Sequence, residues 1–201
     1  MATGPAPTGA EPAPYPAELE RDVRTADGSA YRVRPIRPDD AERLVAFHRG
    51  LSSRSTYFRF FRFHPTLTAD EVDRFTHVDY RDRLALVAER DGRLLGVGRF
   101  DRTAAGTAEV AFVVTDAYQH HGIATCLLDG LIAAALPRGI EVFTAEVLAE
   151  NTDMLDVFCD TALPVAVAYD ADVASVRFPI QPTPAYLEGL GEREAIRRGD
   201  R

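Results

Sequence analysis

The sequence predicts an α+β domain with one mixed, mostly antiparallel sheet of about seven strands flanked by about four helices. Three strand patterns follow one another closely at 84–89, 94–99 and 108–114, as they do in an antiparallel meander. Helical patterns then alternate with further strand patterns, which indicates that helices cover the sheet. The chain has 201 residues, enough for one domain with a substantial core rather than two.

The segments before this meander predict an arm, a strand and two helices. Residues 1–16 contain five prolines and few apolar residues, so we expect a disordered N-terminal arm. Alternating apolar and arginine residues predict a strand over 31–37. Residues 39–42 resemble a capping box that opens a helix, and residues 68–71 repeat this signal for a second, shorter helix.

The second half of the chain continues the alternation of strands and helices. Asp91-Gly92 is typical of a two-residue hairpin turn inside the meander. The spacing of Ile123, Leu127 and Leu131 predicts a helix that ends near 137–139, where proline and glycine occur. The remaining predicted elements are a strand over 141–147, a helix over 152–159, strands over 165–169 and 173–178, and a helix at 185–198 within a C-terminal tail over 181–201. We therefore place the domain at 17–180.

Composition narrows the classes of function. The net charge of −8 argues against nucleic acid as a partner. No run approaches the ~20 apolar residues of a membrane span, and the N-terminus lacks a secretory signal pattern. The two cysteines, Cys126 and Cys159, form neither a disulfide framework nor a metal-binding spacing. We therefore expect a cytoplasmic protein without a metal, and the sequence leaves its oligomeric state open.

The stretch at 119–124 carries the strongest functional signal. Its sequence, QHHGIA, lies between a predicted strand and a predicted helix. A helix that begins here leaves backbone N–H groups unpaired at the positive end of its dipole, which suits a pyrophosphate. Gly122 permits a close approach of the backbone, and Ala124 keeps the first turn open. Because any strand–helix junction needs small residues, the turn alone does not decide between a phosphate site and a plain connection.

This stretch resembles the Gln/Arg-x-x-Gly-x-Gly/Ala motif of the GNAT superfamily of N-acetyltransferases, and the predicted element order is similar to theirs. The segments at 57–61, 78–83, 108–114 and 145–151 look like bacterial Pat-type protein lysine acetyltransferases. They look equally like the GNAT domains fused to acyl-CoA synthetases. The resemblance runs from about residue 31 to residue 178 and implies the GNAT fold with acetyl-CoA as co-substrate.

The resemblance also implies how the cofactor is held. The strands at 108–114 and 141–147 would splay apart, and the pantetheine arm would add to the first of them like another strand. One backbone amide there would polarise the thioester carbonyl. Asn151 would hold the arm by its side-chain amide, although asparagine is also a preferred helix N-cap. The implied cofactor-binding residues are Ala111, Phe112, Val113, Gln119, His120, His121, Gly122, Ile123, Ala124 and Asn151.

Glu109 is the predicted general base. A lysine amine with a pKa near 10.4 is neutral in roughly one molecule in a thousand at pH 7.5, so deprotonation costs about 4 kcal/mol. A positioned base contributes about 10²–10⁴-fold, which is comparable in size. Glu109 lies where the subfamily keeps its base, and the alternative is an ordinary solvent-facing strand residue. Asp79 and Asp82 are the fallback candidates.

Two positions depart from the superfamily pattern. Phe158 stands where many relatives have a tyrosine that protonates the departing thiolate. Because a thiol has a pKa of about 8.5, its thiolate leaves without much help. His120-His121 replaces the usual Gly-Arg, so a permanent positive charge beside the pyrophosphate is absent. A bound phosphate could restore part of that charge by raising the histidine pKa values, or the pair could be inconsequential loop residues.

Three hypotheses for function follow. The first is acetyl transfer from acetyl-CoA to a lysine of a protein, with an acyl-CoA synthetase as candidate partner. The second is acetylation of a small-molecule amine, since one fold serves many substrates. The third is a module that binds acyl-CoA without turnover, which Phe158 and the histidine pair would favour.

Overall fold

The computed structural model describes residues 12–25 and 28–199, which form one mixed sheet with helices on both faces. The strands are β1 (Arg21–Arg24), β2 (Ala30–Pro35), β3 (Arg83–Arg90), β4 (Arg93–Ala104), β5 (Thr107–Val114), β6 (Val142–Leu148), β7 (Ala166–Asp170) and β8 (Val173–Pro179). The helices are α1 (Ala41–Arg49), α2 (Ser53–Phe60), α3 (Ala69–Thr76), α4 (Ile123–Ala135), α5 (Thr152–Cys159) and α6 (Pro184–Arg198). None of these helices is long and apolar enough to span a bilayer.

The sheet has the strand order β1-β2-β3-β4-β5-β6-β8-β7. Neighbouring strands are antiparallel except β5 and β6, which run parallel. This confirms the predicted α+β class and mixed sheet. The prediction omitted β1 and α2. Strand β1 has four residues, of which only Val23 is buried, so it carries no alternation that a sequence pattern could reveal.

Of the disordered arm expected at 1–16, residues 1–11 lie outside the described residues. From Pro12 onward the chain contacts the domain. Tyr15 packs edge-to-face on Tyr80 with ring centroids 5.6 Å apart, and its hydroxyl donates a hydrogen bond of 2.6 Å to Glu20. Residues 12–16 therefore contact the domain, because the half-buried Tyr15 anchors a segment that is otherwise rich in proline.

The two faces of the sheet pack against different helices. On one face α4, α5 and α6 bury the larger apolar cluster, and on the other α1 and α3 bury the smaller one. Alternation along β5 directs Val110 and Phe112 into the larger cluster. The side chains of Glu109, Ala111 and Val113 therefore lie on the face that α1 and α3 cover.

Helix α6 is joined to the domain by a buried ion-pair cluster. Asp129 on α4 is almost fully buried, and its carboxylate accepts hydrogen bonds from Arg193 at 2.9 Å and from Arg197 at 2.8 Å. The Tyr186 hydroxyl donates a third, at 3.2 Å. The C-terminal segment at 184–198 is thus packed on the sheet domain rather than trailing from it.

We expect Asp129→Asn to lower the free energy of unfolding by about 3 kcal/mol, because it removes the buried charge that pairs with Arg193 and leaves Arg197 with only Glu194, at 3.4 Å. Urea unfolding followed by circular dichroism measures this change. Asp22→Asn is the matched control. Asp22 is exposed and its Arg32 pair is 3.6 Å long, so its removal should cost less than about 0.5 kcal/mol. Equal losses in the two variants would contradict the anchoring role.

Candidate active site

A cleft opens where β5 and β6 part. The two strands pair over three residue pairs only, Thr107–Glu109 against Val142–Thr144. Beyond Glu109 no strand pairs with that edge of β5 in the described chain, although its other edge stays bonded to β4 as far as Val114. The resulting cleft has a volume of about 1280 Å³, larger than the ~300–1,000 Å³ of ordinary small-ligand pockets. It can therefore take an extended ligand.

Phe158 on α5 fills the floor beneath this cleft. It is 1% exposed, and its ring centroid lies 5.9 Å from that of Phe112 on β5 and 5.6 Å from that of Phe178 on β8. The side chain thus bridges the two parts of the sheet where their backbones no longer meet. Phe158 has a packing role here and no group that could donate a proton.

The N-terminus of α4 lies in the cleft without a capping side chain. Its N-cap residue, Gly122, has φ 73°, in the left-handed region that favours glycine, and the first turn carries no acidic residue. Four other helices have a side-chain cap, from Ser52, Thr68, Asn151 and Thr183. The first N–H groups of α4 are thus left to an external acceptor, and the helix dipole favours an anion.

The structure brings nearly all of the predicted cofactor residues into this one cleft. Those that line it are Ala111, Phe112, Val113, Gln119, His120, Gly122, Ile123, Ala124 and Asn151. His121 does not line it. The His121 ring nitrogen Nδ1 lies 2.7 Å from the Gln119 carbonyl oxygen instead. His120 takes a left-handed conformation with φ 61°, and its Nε2 lies 3.9 Å from Asp153 Oδ2.

Hydrogen bonds join the turn before α4 to helix α2. The Gln119 side chain donates hydrogen bonds to Ser55 Oγ at 3.1 Å and to the Val114 carbonyl at 3.2 Å. Asp116 accepts hydrogen bonds from both Ser52 and Ser55, which lower the pKa of its carboxyl group even though partial burial raises it. Sequence analysis missed Asp116, because its partners lie more than 60 positions earlier in the chain.

Asn151 caps a helix. Its Oδ1 accepts a hydrogen bond of 3.4 Å from the Met154 backbone N–H at the start of α5. The residue also lines the cleft. The capping interpretation is therefore seen directly, and a contact between Asn151 and the cofactor arm stays a prediction.

Glu109 is the last residue of β5 before the strands separate, and its exposed side chain lines the cleft. Asp101 lies directly across on β4, where it is paired with Arg83 at 3.0 Å and Arg99 at 3.1 Å. Among the described residues no hydrogen bond or ion pair occupies the Glu109 carboxylate. Its oxygens are thus available to a reactant in the cleft.

The fallback bases are not positioned for catalysis. Asp79 Oδ1 accepts three backbone N–H bonds of 2.8–2.9 Å from Arg81, Asp82 and Arg83, and so closes a turn. Asp82 forms an ion pair of 2.6 Å with Arg102. Neither carboxylate lines the cleft. Both groups serve local structure, so the geometry favours Glu109 over either of them as the predicted base.

Helix α2 forms a wall of the cleft. Tyr57 is 41% exposed and Phe61 is 37% exposed. Arg59 lies between them in the chain and lines the cleft. Burial, together with the positive charge of Arg99, lowers the pKa of Arg59 to about 10.

Known proteins are similar to this chain in sequence and in structure. Residues 47–159 match the acetyltransferase (GNAT) family. The acetyltransferase PA5475 of Pseudomonas aeruginosa is 32% identical over 139 residues, which cover 66% of this chain and 74% of that protein. The crystal structure of the GNAT domain of S. lividans PAT is 44% identical with a TM-score of 0.77, and the match covers 82% of this chain and 99% of that one.

The acetyltransferase Pat of Mycolicibacterium smegmatis is 32% identical over 164 residues, or 80% of this chain. The chain spans about half the length of that relative, 49%. Together with the splayed strands and the uncapped helix, these matches confirm the resemblance to Pat-type enzymes. The chain belongs to the acetyltransferase (GNAT) family.

Proposed function

We propose that the protein transfers the acetyl group of acetyl-CoA to a lysine side-chain amine of another protein, with Glu109 as general base. One observation carries this proposal. The available carboxylate of Glu109 and the uncapped N-terminus of α4 line a single cleft that opens along a free strand edge. The cleft thus offers a base, an anion site and backbone hydrogen-bonding groups together.

The donor would extend along this cleft. Its pyrophosphate would accept hydrogen bonds from the first N–H groups of α4, beside Gly122. Its pantetheine arm would pair with the free edge of β5 at 111–113, where a backbone N–H would polarise the thioester carbonyl. The Asn151 amide group would contact the same arm. His120 lines the cleft and would add positive charge beside the phosphates in its protonated form.

The chemistry is a direct transfer. The lysine nitrogen bonds to the thioester carbon while its proton passes to Glu109, and the carbonyl oxygen gains negative charge beside the backbone N–H. The carbon–sulfur bond then breaks, and coenzyme A leaves as a thiolate. With a thiol pKa of about 8.5, this leaving group needs no acid from the Phe158 position.

A protein acceptor is favoured by the surface beside the cleft. Tyr57, Phe61 and Phe63 are exposed large hydrophobic side chains within seven residues, and Phe63 is 78% exposed. The surrounding segment 53–64 contains three arginines and no acidic residue, although the chain carries a net charge of −8. Such an aromatic and arginine-rich surface is typical of contacts with another protein. The reducing cytoplasm, where we propose that the enzyme works, suits its two free thiols.

Incubation with acetyl-CoA and an acyl-CoA synthetase from the same organism tests the proposal. We expect acetylation of one dominant synthetase lysine and a loss of synthetase activity, measured by mass spectrometry and a coupled assay. The chain has no lysine, so every acetylated lysine belongs to the acceptor.

Either of two results would contradict this proposal and favour one of the alternative functions. Rapid acetylation of a free amine beside an unmodified synthetase would favour a small-molecule enzyme. Tight acetyl-CoA binding without thiol release for any amine would favour a module that binds the cofactor without turnover.

A further inference from the structure

Two arginines meet beside the part of β5 where the thioester is proposed to lie. Arg99 on β4 lies directly opposite Ala111 on β5 and is 5% exposed. Its Nε donates a hydrogen bond of 3.1 Å to Asp101, and its guanidinium stacks on Phe75 at 4.6 Å. Its Nη2, however, is buried without a hydrogen-bond partner in the described part of the chain. The Arg99 guanidinium therefore has one buried N–H edge that lacks a hydrogen-bond acceptor.

Arg59 reaches the same place from α2. Within 12–25 and 28–199 its guanidinium makes no hydrogen bond and no ion pair, and its ring contact is with Phe60 at 5.0 Å. Its lowered pKa, about 10, still leaves it protonated at neutral pH. Two like charges are therefore held close together in a largely apolar setting.

The nearby carboxylates offset the charge of Arg99 only in part, and none in the described chain forms an ion pair with Arg59. Asp101 is already shared between Arg83 and Arg99. Glu109 is exposed in the main cleft and forms no ion pair with either arginine of the pair. Because Arg59 has no ion-pair partner among the described residues and buried Arg99 keeps Nη2 without a hydrogen bond, an anion that bridged the two would be bound favourably.

A small cavity between the two arginines has room for such an anion. Its volume is about 40 Å³, and a single water needs about 10–15 Å³ on this measure, so a carboxylate group fits. Arg59, Ala111 and Val113 line both this cavity and the main cleft. The cavity therefore adjoins the position at which acyl group and amine would meet.

We propose that Arg59 and Arg99 form a subsite that binds a carboxylate of one of the two reactants. The guanidinium fork matches a carboxylate in two parallel hydrogen bonds. The carboxylate can come from the far end of a dicarboxylic acyl chain or from the acceptor, beside its reactive amine. This inference rests on the proposed function, since it takes the position of the thioester from it.

Calorimetric binding measurements test the subsite and need no turnover. The donor series compares succinyl-CoA with butyryl-CoA, which differ at the distal carboxylate. The acceptor series, with coenzyme A bound, compares lysine peptides that carry glutamate or glutamine beside the lysine. In one series the carboxylate should tighten binding by about 10-fold or more, as expected for hydrogen bonds to a charged group. Arg59→Gln should abolish that difference in affinity, with the circular dichroism spectrum of the parent protein retained.

Arg49→Gln is the control, because Arg49 is exposed on α1 and lines neither the cavity nor the cleft. It should retain the preference for the carboxylate. The inference is overturned if neither series shows a preference, or if the preference survives in Arg59→Gln. A carboxylate preference without thiol release for any amine would leave the subsite intact and contradict the proposed function alone.

Discussion

Glu109→Gln should lower kcat by about 10²–10⁴-fold and leave the dissociation constant of acetyl-CoA within a few-fold. The amide keeps the shape of the side chain but cannot accept the proton of the attacking amine. Because Glu109 is exposed and unpaired in the described chain, the substitution should not disturb the fold. Thiol release measures the rate, and calorimetry measures the binding of acetyl-CoA.

Glu146→Gln is the matched control. Glu146 is an exposed carboxylate that lines the same cleft from β6, where Ser175 donates hydrogen bonds of 3.0 and 3.2 Å to it. Its rate should stay within a few-fold of the parent enzyme. If Glu109→Gln kept the full rate, Glu109 would not be the base, and another group would have to accept the proton.

Gly122→Glu should weaken acetyl-CoA binding by more than about 100-fold, because like charges in contact cost several kcal/mol. A Cβ at this position would meet no atom within 4 Å, so the side chain would extend into open space rather than clash. Its carboxylate would lie beside the uncapped N–H groups of α4 and repel the pyrophosphate. Calorimetry with acetyl-CoA measures the loss.

Gly122→Asn separates charge from backbone strain. The φ of 73° strains most side chains, but asparagine tolerates this region well. We therefore expect the asparagine variant to lose much less affinity than the glutamate variant. Undiminished binding in Gly122→Glu would refute the pyrophosphate assignment.

Elements with a regular pattern could be predicted from the sequence. Helix α5 was predicted at 152–159, which are the bounds observed, because a capping asparagine and apolar spacing define it locally. Helix α2 was missed. Its eight residues mix serine, arginine and aromatic side chains without an amphipathic stripe, and its first turn is hydrogen-bonded to Asp116, a distant residue.

The candidate site was predictable where it is contiguous in the chain. The turn at 119–124 carries its own signal, since a helix N-terminus without a cap is a local feature. The link between Asp116 and Ser55 and the approach of Arg59 to Arg99 join distant segments, so only the folded topology brings them together. His121 shows that a contiguous motif can also mislead. It directly follows His120 in the sequence, yet only His120 lines the cleft.

The parting of β5 and β6 has a further consequence for association between molecules. Unpaired strand edges invite other chains to add to a sheet, so proteins usually shorten or charge them. The outer edge strand β1 follows this rule with four residues, three of them charged. The free edges of β5 and β6 instead face each other inside the domain, across a cleft floored by Phe158. A narrow, extended molecule can therefore pair with the free edge of β5. Another folded protein is too broad to enter the cleft, so it cannot add a strand there.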